Sequence, residues 1–171
     1  MFASAMSFRG LRLAAALALT LGAAACAATP PDVDTALNGG PGAPGAATPG
    51  SAQDFTVNVG DRVFFETDQS TLTPTAQATL DLQAQWLARY PRYAVLIEGH
   101  ADERGTREYN FALGARRAQA VRDYLAARGV DAGRIRTVSY GKERPVAACA
   151  DPSCQSQNRR AVTVLEGGAG V

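Results

Sequence analysis

The sequence is poor in the residues that most enzymes use for chemistry. Its 171 residues include one histidine and three cysteines, and no G-x-S-x-G motif surrounds a serine. A catalytic site needs a nucleophile with a base, or a metal with two or three good protein ligands. We therefore expect no catalytic residue and no cofactor, and we keep an enzyme as the alternative to a binding protein.

An excess of charge of either sign is also missing. The formal net charge is +1, which provides no basic stripe for nucleic acid. His100, Asp102 and Glu103 crowd three candidate metal ligands into four positions. This is a poor ligand set, because neighbouring positions at a strand end point to different sides. We expect no metal site, and a structural role for His100.

Long apolar runs are absent except near the N-terminus. Arg9 and Arg12 precede an apolar segment over residues 13–21, and small residues follow it. The segment is too short to span a bilayer, and the order of its parts is that of a secretory signal. The pattern predicts a signal peptide over residues 1–25, whether the chain starts at Met1 or Met6.

Cys26 directly follows this signal and resembles the acylated cysteine of bacterial lipoproteins. Ala23 stands where such sequences usually have leucine, and ordinary cleavage after Ala25 is the alternative. If Cys26 is lipidated, palmitate and related acyl chains contribute about 0.8 kcal/mol per buried methylene to membrane binding. Ala27 is not the aspartate that would suggest retention at the inner membrane. We expect an outer-membrane lipoprotein whose folded part faces the periplasm.

The composition changes after Cys26. Five of the nine prolines fall within residues 26–53, among glycine, alanine and threonine. Such a stretch buries too little apolar surface to order itself, so it predicts a linker. We expect one folded domain over residues 54–167 and a short tail over residues 168–171.

Within the domain, hydrophobic periodicity predicts six elements. Strands are expected over residues 62–65, 93–98, 135–140 and 161–165, and helices over residues 74–90 and 106–128. Thr73 and Pro74 supply a helix cap and a first-turn proline. The order predicts an α/β fold, a two-layer sandwich with a mixed sheet and both main helices on one face. Trp86 is expected to be a packing residue.

The most polar stretch lies between Glu98 and Ala118. Asp102 follows a buried strand, and Asn110 and Arg117 are seven residues apart on one face of the next helix, with Leu113 between them. A carboxylate beside a guanidinium suits a ligand that carries both an ammonium and a carboxylate. The alternative is that Asp102 and Arg117 pair with each other and hold the loop down.

The motifs HADERGT, EYN, LGARRAQAV, SYGKERP and NRRAV resemble the peptidoglycan-associated lipoprotein family, within the larger family of OmpA-like domains. The similarity runs from Val63 to Leu165, with the motifs in the same order and spacing. Gly114 replaces the serine that is usual in other OmpA-like domains. The resemblance implies an OmpA-like fold that binds peptidoglycan through meso-diaminopimelate in the stem peptide.

By the same resemblance, particular residues acquire ligand-binding roles. The binding aspartate falls on Asp102 and the binding arginine on Arg117, with Asn110, Thr106 and Leu113 at neighbouring motif positions. These five residues form the predicted ligand site.

The resemblance also implies partners in the Tol system, with TolB foremost. Glu103 and Arg104, in the same loop, are candidate TolB contacts. The alternative is another OmpA-like lipoprotein that binds the wall without Tol partners. Retention of TolB by the immobilised domain distinguishes the two.

Cys149 and Cys154 lie five residues apart in an exported chain. Because the compartment is oxidising, we expect a disulfide between them. Arg159 and Arg160 follow, and we expect both at a strand start, half solvated, with a place in the lining of the ligand site as the alternative.

Overall fold

The computed structural model describes residues 47–149 and 151–167. The predicted signal peptide, Cys26, most of the linker and the tail lie outside the described residues. The main helices are α2 (Pro74–Arg89) and α3 (Arg107–Ala127), and α1 (Ala52–Asp54) and α4 (Pro152–Asn158) are short. The strands are β1 (Arg62–Phe64), β2 (Ala94–His100), β3 (Ile135–Gly141) and β4 (Arg160–Glu166). Within the described ranges, no helix is both long and apolar enough to span a membrane.

The four strands form one mixed sheet in the order β1-β4-β2-β3. β4 pairs antiparallel with both β1 and β2, and β2 pairs parallel with β3. Leu80 and Leu87 of α2, Val121 of α3, and Val95 and Ile97 of β2 share one buried cluster. Both main helices therefore cover the same face of the sheet, which confirms the predicted two-layer α/β sandwich.

Two glycines let α3 lie directly on β2. A Cβ built on Gly114 would lie 2.8 Å from the carbonyl oxygen of Gly99, and one built on Gly99 would collide with the main chain at Gly114. A larger residue at either position would have to push the helix away from the strand. The contact explains the glycine at position 114 and fixes α3 against the end of β2.

The folded domain begins earlier than the boundary expected at residue 54. Gly50 is buried, and its carbonyl accepts hydrogen bonds from the Tyr93 hydroxyl at 2.8 Å and from Arg92 Nη2 at 2.6 Å. The Trp86 indole donates to Asp54 Oδ2 at 2.8 Å, and Trp86 is 1 % exposed, as its expected packing role requires. These contacts hold the N-terminal segment at the start of β2.

The long elements lie within two residues of their predicted bounds, whereas the short ones escape prediction. Thr73 and Thr106 cap α2 and α3 with their hydroxyls, which accept from Ala76 N and Tyr109 N. A π-helical turn (Phe55–Val59), a 3₁₀ turn (Ala132–Arg134), α1 and α4 were all missed. Elements this short span too few residues to show a periodicity, and their stability comes from tertiary contacts.

His100 is buried at the end of β2 and is 2 % exposed. Its ring lies 5.6 Å from that of Tyr140, and its Nε2 is 3.7 Å from Glu98 Oε2. Burial lowers the pKa of His100 to about 4, and the nearby charges of Arg160 and Arg144 act in the same direction. His100 is therefore neutral at neutral pH.

The depressed pKa of His100 makes stability depend on pH. The unfolded chain binds a proton below about pH 6.5 and the folded chain only near pH 4, so stability falls as pH drops between these values. We expect the loss to reach on the order of 3 kcal/mol. His100→Phe has an aromatic ring that cannot titrate. The free energy of unfolding of this variant in urea should therefore fall less between pH 7 and pH 4.5 than that of the parent. Parallel profiles for the two proteins would contradict this assignment.

A candidate ligand site at the end of strand β2

Asp102 lies in the loop that leaves β2, with its side chain 9 % exposed. Its Oδ2 accepts from Arg104 Nη2 at 2.7 Å and from Arg159 Nη1 at 3.4 Å, and its Oδ1 accepts from the Arg104 main-chain N–H at 3.2 Å. Burial by itself would raise the pKa of Asp102, but the bonds from Arg104 and Arg159 hold that pKa below its ordinary value. The carboxylate is therefore ionised and surrounded by guanidinium groups.

Arg117 lies beneath this loop and has no exposed surface. Its guanidinium donates to three main-chain carbonyls: Nε to Gln69 at 2.8 Å, Nη1 to His100 at 2.7 Å and Nη2 to Glu66 at 3.2 Å. Its Cζ lies 5.1 Å from the centre of the Phe65 ring. Burial lowers the pKa of Arg117 to about 10, which leaves it charged at neutral pH.

This geometry corrects two expectations for Arg117. Arg117 and Asp102 form no ion pair, so the alternative of a closed pair between them is wrong. The predicted bidentate contact between Arg117 and a ligand carboxylate also meets an obstacle, because the guanidinium is enclosed and bonded to main-chain carbonyls. Arg117 instead joins the loop after β1 to the end of β2.

The other predicted residues shape the loop in different ways. Asn110 is 1 % exposed, and its Nδ2 donates to the carbonyls of Arg104 at 2.7 Å and Thr106 at 3.1 Å. Leu113 is buried one turn further along α3. Thr106 is exposed at the helix N-terminus, where its hydroxyl caps α3. Asn110 and Leu113 therefore support the site from below, and Thr106 lies on its surface.

Sequence reasoning missed Asp68 and gave Arg159 a place at the site only as an alternative. Arg159 was expected to be half solvated, but its side chain is 12 % exposed, and its Nε donates to the Phe65 carbonyl at 3.0 Å. Asp68 is exposed in the loop after β1, and its charge acts on Arg104 and Arg117. Its φ of 56° is a strained conformation for a non-glycine residue. That strain is a structural signal that the sequence does not contain.

Arg160 also differs from its prediction. It is 4 % exposed rather than half solvated, and its guanidinium donates to the carbonyls of Asn158 and Arg144. Arg160 is therefore a buried residue whose charge contributes to the lowered pKa of His100.

A clamp made by Lys142 and α4 fixes the far side of the Asp102 loop. Lys142 Nζ donates to the carbonyls of Gly105 at 2.7 Å and Glu103 at 3.3 Å. The expected disulfide between Cys149 and Cys154 is present, with Cα atoms 5.7 Å apart. Since Cys154 lies in α4 and Arg159 follows that helix directly, the disulfide anchors the segment that brings Arg159 to Asp102.

The site thus places one ionised carboxylate among three arginines, with exposed acidic groups at Asp68 and Glu103. Charges of both signs lie within one patch, and this suits a zwitterionic ligand. Across residues 47–149 and 151–167, no group of three histidine, cysteine or acidic side chains could hold a metal ion.

A separate hollow of about 580 Å³ lies beside the N-terminal half of α3. Phe111 and Tyr140 line it, together with Arg107 and Glu143, whose side chains form an ion pair at 3.1 Å. Asp102 does not line this hollow. The paired charges of the hollow, Arg107 and Glu143, have side chains that are 73 % and 50 % exposed, whereas the Asp102 side chain is 9 % exposed among arginines. The Asp102 loop is therefore the stronger candidate for the ligand site.

The buried bonds of Arg117 predict a specific stability loss. In Arg117→Lys the charge remains, but one ammonium cannot reach three carbonyls arranged for a planar guanidinium. We expect the free energy of unfolding in urea to fall by about 2–4 kcal/mol. Arg116→Lys, at the exposed neighbouring position, is the matched control and should change it by under about 0.5 kcal/mol. Equal losses in the two variants would show that Arg117 does not hold these loops.

Comparison with known proteins places this chain in a family. A model of the OmpA family matches residues 64–159. A peptidoglycan-associated lipoprotein of Rhizobium meliloti is 68 % identical over 155 residues, which are 91 % of this chain and 87 % of the relative. One from Haemophilus influenzae is 48 % identical over 124 residues, covering 68 % of this chain and 81 % of the relative.

Solved structures agree. The crystal structure of the peptidoglycan-associated lipoprotein from Burkholderia pseudomallei matches with a TM-score of 0.61 and 44 % identity, over 62 % of this chain and 90 % of that one. The C-terminal domain of Helicobacter pylori MotB matches with a TM-score of 0.60 and 22 % identity, over 64 % and 86 % of the two chains, and shows the fold alone. The chain belongs to the OmpA family and, within it, to the peptidoglycan-associated lipoproteins.

Proposed function

We propose that this chain tethers the outer membrane to the cell wall by binding peptidoglycan non-covalently. The observation that carries the proposal is the ionised Asp102 carboxylate, held among Arg104, Arg159 and the buried Arg117 at the end of β2. The names of the relatives support the same polymer as ligand. The finer proposal is that the site binds meso-diaminopimelate in the stem peptide.

The free end of diaminopimelate carries an ammonium and a carboxylate on one carbon atom. Asp102 would accept hydrogen bonds from the ammonium, and Arg159 would donate to the carboxylate. Thr106 and the loop amides at the start of α3 offer further donors at a helix N-terminus. Arg117 would add positive charge from below while it holds the two loops together.

The membrane arm of the tether would leave the domain at its other end. Gly50 is fixed at Tyr93, before β2, whereas Asp102 follows β2. The seven residues of β2 separate these points by about 20 Å. After removal of the signal peptide over residues 1–25, lipid on Cys26 would hold the N-terminus in the membrane, and the linker up to Pro49 would join it to the domain. The membrane and the wall would then pull on opposite ends of β2. The linker alone would reach about 80 Å when fully extended.

The role we propose is structural rather than enzymatic. The charged groups at Asp102 are engaged in ion pairs and main-chain bonds, which supports a binding role for this carboxylate. Each charge-assisted contact contributes about 1.5–3 kcal/mol. Many copies that face one repeating polymer would therefore hold firmly even when each domain binds weakly.

We also propose Tol proteins as partners, with TolB binding near Glu103 and Arg104. Glu103 is exposed, and the Arg104 side chain is 49 % exposed. Both therefore lie on the surface that a partner would meet. Because they border Asp102, wall and TolB would meet overlapping parts of one loop.

Binding to insoluble peptidoglycan tests the proposed site. In Asp102→Asn the carboxylate loses its charge while its size is kept, so the ammonium contact is lost. We expect co-sedimentation affinity to fall about ten-fold to one-hundred-fold, the equivalent of one charge-assisted contact. Residues 47–171 should be used, because they include the docked segment at Gly50.

Asp123→Asn is the matched control, since Asp123 is exposed on α3 and accepts a bond from Gln119 rather than from a site residue. It should sediment like the parent. Equal sedimentation of all three proteins would place the ligand elsewhere, and failure of the parent to sediment would overturn the proposed function.

A further inference from the structure

Arg104 covers the carboxylate that the proposed ligand needs. Its side chain approaches both oxygens of Asp102, with Nη2 at 2.7 Å from Oδ2 and Nε at 3.4 Å from Oδ1. Its own main-chain N–H adds a third bond to Oδ1 at 3.2 Å. With Arg159 on Oδ2, four donors surround a carboxylate that has about four acceptor sites. An incoming ammonium must therefore displace one of these donors.

The two arginines differ in how easily they can leave. Arg159 is 12 % exposed and is also bonded to the Phe65 carbonyl at 3.0 Å. The Arg104 side chain is 49 % exposed, and its further contact is with Thr67 Oγ1 at 3.4 Å. Its backbone is fixed separately, because Asn110 Nδ2 donates to the Arg104 carbonyl at 2.7 Å. The Arg104 side chain can therefore swing away without moving the loop.

We propose that the Arg104 guanidinium is an internal substitute for the ligand's ammonium, and that it reduces the dependence of binding on whether that amine is free. This inference rests on the proposed function. A stem peptide with a free ammonium displaces Arg104 from Asp102. A stem peptide whose amine is acylated, as it is in a cross-link, carries no cation, so Arg104 stays and neutralises Asp102. Arg104 is thus a specificity-determining residue, which lets one site accept both forms of the wall.

The proposal predicts opposite responses to loss of Arg104. In Arg104→Gln, a peptide with the free ammonium no longer competes with an ion pair, so its affinity should rise about two-fold to five-fold, the value of a partly exposed pair. The acylated peptide should bind unchanged or more weakly, because Asp102 then lacks its counter-ion. The ratio of the two affinities therefore increases in the variant.

Isothermal titration calorimetry with the purified full chain in detergent measures the affinities for both peptides. The probes are the tripeptide L-alanyl-γ-D-glutamyl-meso-diaminopimelate and the same peptide acetylated on the side-chain amine. Arg107→Gln is the matched control, because Arg107 lies three residues away and pairs with Glu143 at 3.1 Å rather than with Asp102. It removes the same charge and should leave the ratio of affinities unchanged.

A second measurement separates release of Asp102 from a change in loop structure. Arg104 contributes to holding the pKa of Asp102 below its ordinary value, so NMR titration should show a higher Asp102 pKa in Arg104→Gln but not in Arg107→Gln. An unchanged Asp102 pKa, or an equal effect of Arg104→Gln on both peptides, would overturn the inference while the proposed function stands. Failure of the parent to bind either peptide would overturn both.

Discussion

The buried guanidinium of Arg117 is the interaction on which the site depends. Arg117 bonds to the carbonyls of Glu66 and Gln69 in the loop after β1, and to that of His100 at the end of β2. β1 and β2 are not neighbours, because β4 lies between them. The cost of burying this charge is offset by three charge-assisted bonds, which hold these two segments together at the same end of the sheet.

The residues that would contact the ligand are supported by these buried bonds of Arg117. Asp102 follows His100, Asn110 holds the Arg104 and Thr106 carbonyls, and Arg159 arrives from α4 to meet Asp102. The groups that meet solvent are thus supported by buried neighbours, which is what a preorganised site needs. The N-terminal segment docks at the opposite end of β2, so a lipid anchor and a wall contact would load the sheet along one of its central strands.

Much of the fold was predictable, because α2, α3 and the long strands carry clear periodicity and capping signals. The site was predictable only in part. Seven-residue spacing placed Asn110 and Arg117 on one face, but it could not show that Arg117 is enclosed, since that depends on the loop after β1. Arg159 is 57 residues from Asp102 and meets it through chain reversal and a disulfide, which no local pattern describes. The strained backbone conformation of Asp68 likewise could not be predicted, because it depends on the folded loop after β1.

We propose above all that the ligand binds where Asp102, Arg104 and Arg159 meet. A ¹⁵N–¹H NMR titration of residues 47–171 with the diaminopimelate tripeptide tests it most directly. We expect saturable shifts at the amides of residues 67–69 and 102–106 and at Arg159, with little change near Gly50 and Tyr93. Saturable shifts confined to the hollow between Phe111 and Tyr140, with the Asp102 loop unaffected, would contradict it.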